Sequence, residues 1–557
     1  MHYNLIKASN RRYLEELKNK FHEFENVVKS VNILQQTEWV INEDIYQVIK
    51  RCVENNFTLG KLPLNPDLID LPPKPLDIAT NTEAKTKWKR MAHQVYTDRN
   101  KQKSKHIQVK QIFTEATEMR KTKGFFYPLQ LDFRTRIYAK PAMLTMQSAD
   151  YSKALIKFKY GKRMMTDDAF VNFAIAGANL FGEVDKEDLK TRVDWVQKYE
   201  AKIISTAKSP FEDTWWTLAD KPYQFLAWCF EYKAFAETDY DPDFITTLPI
   251  QSDCSNSGLQ HYSAMMRDEV GGLATNLIPL DKPNDVYALV ASKVIEKLKA
   301  RSEPLANLWL EYGIDRKLCK KPVMCLPYSL TRYSCRAYLA EHVVRQLNER
   351  SVTHKFGDDL FKATNYLTPI VWDSINEVIV GAKQIMKFLK DVSSLVSSEN
   401  LPVSWVTPLG FPVQMACYKT ESQRVKTKMG DSILKLSYQT NTNLIDKRQT
   451  SQSICPNFIH SLDASVLQLA VVKAHEQGVD SFCMIHDSFG VTAPDVNTMA
   501  NAVRDSFCEI YQQDVLKNFA DDMYKMLSHK NQKKFPKIPQ KGNLNLDDVK
   551  NSKFFCI

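Results

Sequence analysis

Two aspartates stand at short apolar runs that lie far apart in the chain. Asp253 ends the run in LPIQSDCSNSG, residues 248–258, and Asp487 interrupts FCMIHDSFG, residues 482–490. A carboxylate set among buried strands is costly unless a cation or strong donors meet it. Taken singly, each has an ordinary reading: Asp487 as a hairpin tip, Asp253 as a helix cap. A row of cations between them gives the pair joint weight. Arg316, Lys320, Met324 and Tyr328 recur every four residues, so on a helix they occupy one arc. A packing helix would place its cations on one face and its Met and Tyr on the other. Sharing a face suits a helix lying along a nucleotide, with cations on a triphosphate and the tyrosine meeting base and sugar. Pro322 and Pro327 each remove a helix hydrogen bond and predict a kink.

The elements that must position these groups are legible as patterns. Phe482–Ile485 and Phe489–Val491 predict a β-hairpin with His486, Asp487 and Ser488 at its tip. His261 to Gly272 predicts a helix closed by glycines, and Pro283 opens another carrying Tyr287, Val290, Val294 and Leu298. Asn457 to Ser465 precedes a further helix with Leu467, Leu469, Val471 and Val472; its His460 reads equally as a structural histidine. Near the front, Leu14, Leu17, Phe21, Phe24, Val28 and Val31 form one apolar helical face. The helical pattern continues from Trp39 to Cys52, and prolines between Leu62 and Pro75 mark a loop. Helices are also expected over Ala169–Lys208 and Tyr223–Phe235.

Three basic stretches are candidates for contact with phosphates. Lys85 to Lys110 holds nine Lys and Arg against the single acid Asp98, with Trp88 and Tyr96 interleaved; it reads as a solvated face or as a surface tracking a nucleic-acid backbone. Arg134 and Arg136 lie two apart in FFYPLQLDFRTRIYA, sharing a face if that stretch is a strand. Arg424 to Tyr438 alternates like two strands joined at Gly430-Asp431, a basic hairpin. Such a ribbon fits a major groove, making Arg424, Lys426, Lys428 and Lys435 candidates to read bases or hold phosphates.

The bulk composition is compatible with this. A chain of 557 residues with 44% hydrophobic content can bury two to four domains or subdomains, and 16 glycines argue for a mostly helical protein. The net charge of +10 suits a phosphate-bearing partner. The 11 scattered cysteines, without a C-x-x-C pair, indicate neither a disulfide frame nor zinc, and a reducing, intracellular location is expected. No apolar run is long enough for a membrane span, and no signal-peptide core is present at the front.

Together these segments resemble the bacteriophage-type single-subunit DNA-directed RNA polymerases, a family that includes mitochondrial enzymes. DFRTRIYA, the Asp253 segment running into GLQHYSAMMRDEVGG, RKLCKKPVMCLPYS, WVTPLGFPV, PNFIHSLDAS, MIHDSFG and GNLNL occur in the family's order across nearly the whole chain. The resemblance implies a mainly α fold with an α+β palm, in a right-hand arrangement of thumb, palm and fingers. It divides the chain into an N-terminal-domain remnant (1–36), a thumb-like helical region (37–122), a first palm part with a helical insertion (123–281), fingers with the basic hairpin (282–459), and a second palm part with the tail (460–557). It implies DNA template and promoter, nascent RNA and ribonucleoside triphosphates as partners, in a monomer acting in the cytoplasm of a host cell.

By the same resemblance, Asp253 and Asp487 would hold two Mg²⁺ ions, with the carbonyl of Cys254 as a further ligand. Lys320 matches the lysine proposed to protonate pyrophosphate, Arg316 and Lys186 match triphosphate contacts, and Tyr287 and Tyr328 line the nucleotide site. Tyr328 and His460 would test for the ribose 2′-hydroxyl. Arg136 falls in a motif contacting the template–product hybrid, and the Arg424–Tyr438 hairpin falls where the family keeps its promoter-specificity loop. Thr135, Cys254 and Ser329 stand where the family carries glycine, Ser329 beside an unusual Pro327. By the resemblance Met1 would align near the end of the family's N-terminal domain, which leaves three readings open: a fragment of a longer chain, a separate domain or initiation factor as partner, or a different way of starting transcription. Two rivals remain: a related right-hand DNA polymerase, against which Gly258 stands where a blocking Glu would be and His-Asp-Ser where His-Asp-Glu would be; and a non-catalytic DNA-binding remnant.

Overall fold

The computed structural model describes every residue except 1–4, 9, 351–355, 357, 358, 431 and 557, with Arg11 and residues 348–350 described by backbone alone. Long helices dominate, and the described strands form only two- and three-stranded sheets. The three-stranded sheet is the one that matters for chemistry. Its order is Cys483–Ile485, Ser488–Val491, Ile250–Asp253, antiparallel throughout. Phe482, Cys483, Met484, Phe489 and Val491 are all buried, with Met484, Phe489 and Val491 on one face of the sheet and Cys483 on the other, and this burial favours the pairing of the two distant runs.

The hairpin is tighter than its sequence predicts. Ile485 pairs with Ser488, leaving only His486 and Asp487 in the turn, with His486 at φ 55°. A two-residue hairpin loop needs positive φ, so the histidine takes the left-handed conformation itself. The apolar front pattern is also interrupted. Helices Arg11–Asn19 and Glu25–Gln35 are separated by a 3-10 turn, Phe21–Phe24. The break seats Phe24 against Phe411, ring centroids 5.0 Å apart. Trp39 lies in a strand, Trp39–Ile41, paired with Ile156–Phe158, and the expected helix starts later, at Glu43–Glu54.

The prolines of the loop precede a 38-residue helix, Thr82–Met119, which carries the basic run on a largely exposed surface. Another long helix, Lys447–Glu476, has 30 residues and incorporates Asn457 to Ser465, which therefore does not precede the helix. Pro456 sits inside it, and almost every residue from Phe458 to Val472 is buried. Helices Glu25–Gln35, Val380–Ser398 and Val496–Gln512 pack around it, and the last of these also touches the hairpin strand Ser488–Val491. The helix expected over His261–Gly272 splits into Ser257–Met266 and Glu269–Ala274 because Arg267 turns left-handed at φ 53°. The helix expected from Pro283 begins at Val286, capped by the Asp285 carboxylate on the N–H groups of Tyr287 and Ala288.

Candidate active site

Asp253 ends its strand directly opposite Ser488, so Asp487 is its diagonal neighbour across the sheet. The N–H of Cys254 donates to the Asp487 carbonyl at 3.2 Å, which ties the turn to the first carboxylate segment. Asp253 caps no helix: Asn256, left-handed at φ 66°, leads into Ser257–Met266 without a side-chain cap. Gln251 braces the sheet from behind, donating to the Cys483 carbonyl at 2.9 Å and accepting from the Ser488 hydroxyl at 2.6 Å. Asp253 is exposed and Asp487 half-buried. Burial raises the Asp487 carboxyl above its ordinary range, and the Asp253 charge adds to this.

Beside Asp253 opens a cleft of about 350 Å³ lined by Lys186, Asp253, Cys254, Tyr287, Arg316 and Lys320, among others. Helix Arg316–Cys325, with Pro322 inside it, presents Arg316 and Lys320. A 3-10 turn, Leu326–Tyr328, then carries the tyrosine, so the repeat of four crosses a change of helix type at the prolines. Arg316 is held by Asp285 and lies over the Tyr287 ring, its guanidinium carbon 5.1 Å from the centroid. Lys186 pairs with Asp185 at 2.9 Å. Partial desolvation in the cleft lowers the Lys320 ammonium from its ordinary pKa, helped by the Arg316 and Lys186 charges.

Tyr328 and His460 stand together, ring centroids 5.1 Å apart, and neither is part of that cleft's lining. A Cβ built on Gly258 would lie 3.2 Å from the Tyr328 hydroxyl, so a longer side chain there would fill the space beside that hydroxyl. The His460 Nδ1 meets the Arg134 guanidinium at 2.8 Å. Burial, with the Arg136 and Arg134 charges, drives the His460 pKa down to about 2. Burial first and Arg136 second lower His486 to about 4 and His261 to about 3. All three histidines are therefore neutral in the working range. As pH falls below about 6.5 the unfolded chain gains protons that the folded chain refuses, so stability falls from there toward pH 4 and below. Melting temperatures measured across that range should fall, and His261→Gln should flatten the fall; an unchanged slope would contradict the buried neutral His261.

The stretch expected as one strand over 125–139 is two short strands, Leu129–Leu131 and Ile137–Ala139, joined by a turn that holds both arginines. Arg134 pairs with Asp132 at 2.5 Å and Arg136 with buried Asp463 at 2.5 Å, so the two guanidiniums do not form a shared phosphate-gripping face here. The Asp132 carboxylate accepts from the N–H groups of both Arg134 and Arg136, which folds the turn. Within it, buried Thr135 takes φ 71°, and Ser329 takes φ 66° after the tyrosine turn. Both are positions where a β-carbon is strained. The Thr135 hydroxyl also lacks a hydrogen-bond partner. Thr135→Gly is accordingly expected to raise stability by about 1 kcal/mol, the strain relieved outweighing the entropy of glycine. A lower urea midpoint in this variant would refute the strain.

The basic ribbon is two exposed strands, Tyr418–Met429 and Ser432–Ile445; Asp431, half of its expected turn, lies outside the described residues. Arg424, Lys426 and Lys428 alternate onto one face, and Lys426 faces Lys435 directly across the pair. Like charges opposed in this way are destabilising alone and favourable against phosphates. The ribbon stands apart from the cleft lining.

The sequence pattern missed several groups that the fold brings in. Lys221 reaches within 3.8 Å of Asp253 and lines the cleft; it precedes the helix-opening Pro222, a position with no chemical signature. Asp463 and Asp285 likewise emerge only from tertiary placement, one in a buried ion pair and the other as cap and counter-ion. Among the described residues no cluster of three or more His, Cys, Asp or Glu side chains is assembled to hold a metal ion. No helix among them is long and apolar enough to cross a membrane.

The chain is 33% identical over 572 aligned residues to the DNA-directed RNA polymerase of Enterobacteria phage T3, an alignment covering 95% of this chain and 64% of that protein. T7 RNA polymerase of Escherichia phage T7 gives the same identity and coverage. The mitochondrial DNA-directed RNA polymerase 1B of Nicotiana tabacum is 30% identical over 547 residues, with 96% of this chain and 52% of that protein covered. The chain thus spans from about half to under two thirds of the length of these relatives. A family profile described as DNA-dependent RNA polymerase matches residues 163–534, which include both aspartates, the cation helix and the ribbon, and the chain belongs to that family.

Proposed function

We propose that this chain catalyses DNA-templated RNA synthesis, adding ribonucleotides to an RNA 3′ end with release of pyrophosphate. The observation that carries the reading is the delivery of Asp253 and Asp487 to adjoining strand ends beside a cleft that presents Lys186, Arg316 and Lys320. Two carboxylates and the Cys254 carbonyl are hard oxygen donors of the kind that suit Mg²⁺, which completes its shell with substrate phosphates and water. The Cys254 carbonyl accepts the Asn256 N–H at 2.9 Å and keeps a second lone pair free. The donor set fits two Mg²⁺ ions, which would supply charge neutralisation at the attacking and leaving oxygens.

The remaining roles are those that the resemblance to the family implies. Arg316, oriented by Asp285, and Lys186 bind the triphosphate. Lys320, whose ammonium pKa the cleft lowers, would give a proton to departing pyrophosphate. Tyr287 forms a wall of the nucleotide site, while Tyr328 and His460 recognise the ribose 2′-hydroxyl in the room that Gly258 leaves. We assign residues 37–122 to a thumb, 123–281 and 460–557 to a palm, and 282–459 to fingers, with residues 1–36 as an N-terminal remnant. In this right-hand arrangement, the basic ribbon would contact promoter DNA through Arg424, Lys426, Lys428 and Lys435, and Arg136 would lie next to the template–product hybrid. The chain would work as a monomer on viral genes in host cytoplasm.

The test is sugar selection. Tyr328→Phe is expected to lower the preference for ribo- over deoxyribonucleotides by about tenfold or more, since a site built to hydrogen-bond a hydroxyl discriminates through that bond. Overall extension with ribonucleotides should change far less. Unaltered selectivity would remove Tyr328 from the ribose site.

A further inference from the structure

The segment Phe554–Cys556 returns to the catalytic sheet as a short additional edge. Cys254 and Cys556 form an antiparallel bridge, and the Ser255 N–H donates to the Phe555 carbonyl at 3.3 Å. Ser255 Oγ bonds the Phe554 carbonyl at 3.0 Å and Gln260 Nε2 bonds the Phe555 carbonyl at 3.0 Å, so the segment is firmly seated. The flanking bond identifies the two cysteines as a non-hydrogen-bonded pair, the arrangement with α-carbons closest, at about 4.5 Å. That spacing lies within the window of about 4.4–6.8 Å that a disulfide spans. Their sulfurs are 3.4 Å apart. Cys254 follows Asp253 and is among the residues that line the cleft.

We propose that Cys254 and Cys556 form an oxidation site, closing to an intrachain disulfide when a peroxide enters the cleft. One thiol attacks hydrogen peroxide, taking one oxygen as a sulfenic acid and releasing one water. The second sulfur displaces that hydroxyl as a second water, so two thiols and one peroxide become one disulfide and two waters. A dithiol reductant reverses the bond by exchange. The cross-link would pin the strand bearing Asp253 and the Cys254 carbonyl to the closing segment and slow the reaction. This consequence, unlike the cross-link, rests on the function proposed above.

The experiment treats the full chain with hydrogen peroxide, maps disulfides by mass spectrometry under non-reducing conditions, and measures primer extension before and after dithiothreitol. The proposal expects a peptide linking Cys254 to Cys556, an extension rate reduced by about tenfold, the scale for disturbing a ligand's support, and recovery on reduction. Cys556→Ser should keep basal extension and lose both effects. Free or separately oxidised Cys254 and Cys556, without the linked peptide, would overturn the site. A linked peptide with unchanged extension, or equal inhibition of Cys556→Ser, would overturn its effect on the reaction. If the chain extends no primer at all, the peptide map still decides the thiol chemistry, and only the functional reading fails.

Discussion

Asp487→Asn is expected to abolish RNA extension, by at least about 10³-fold, while leaving the fold and DNA binding intact. The amide has the shape of the carboxylate, and the turn depends on the backbone: the Asp487 carbonyl still accepts the Cys254 N–H. Burial already disfavours the charge at this position, so the neutral variant should melt no lower than the parent. What would be lost is one of the two anionic donors proposed for Mg²⁺. Removing several kcal/mol of transition-state charge stabilisation corresponds to a rate loss of about 10³-fold or more. Extension assays beside melting curves and DNA-binding measurements separate these effects. Substantial residual extension with normal metal dependence would show that Asp487 is not a ligand.

The second large effect concerns stability. Arg136→Ala should cost about 3–5 kcal/mol, because it leaves a buried carboxylate without its counter-ion. The Arg136 and Asp463 side chains are 13% and 3% exposed, and two bonds of 3.1 and 2.5 Å join them. The remaining Asp463, whose carboxyl burial pushes up to about 6, would take a proton to escape the penalty. The variant should therefore be relatively more stable at pH 5 than at pH 8. Asp463→Leu in the same chain should restore much of the loss, since an apolar replacement needs no partner. Urea unfolding of both single variants and the double variant measures this coupling. Additive losses would mean that the pair is not a unit.

How much of this was legible beforehand depends on how local the cause is. The hairpin around Asp487 could be read because apolar alternation and a polar interruption are local signals. The ribbon, expected over Arg424–Tyr438 and found over Tyr418–Ile445, and the helix expected over Tyr223–Phe235 were legible for the same reason, whereas the long helix Thr82–Met119 was visible only as a basic run. The split at Arg267, the 3-10 turn at Phe21–Phe24 and the inclusion of Asn457 in a longer helix were not, because packing against distant segments decides them. Trp39 shows the limit well: its strand exists only because Ile156–Phe158 pairs with it. At the site, the order of motifs pointed to the two aspartates, Arg316, Lys320 and Tyr328; the fold puts Asp253, Arg316 and Lys320 on one cleft, with Asp487 beside Asp253 across the sheet and Tyr328 against His460 outside that lining. Lys221, Asp285 and Asp463 carry no pattern of their own and are partners chosen by tertiary contact. Thr135 and Ser329 illustrate the converse, since their left-handed backbones explain why glycine would be at ease there.

The most direct test of the central claim is extension of an RNA primer annealed to a DNA template by the intact purified chain. Mg²⁺ is present or omitted, and ribo- or deoxyribonucleotides are supplied. The account predicts template-directed extension that requires Mg²⁺ and strongly prefers ribonucleotides. Normal binding of the primer–template without any Mg²⁺-dependent extension would contradict it and leave a nucleic-acid-binding protein in its place.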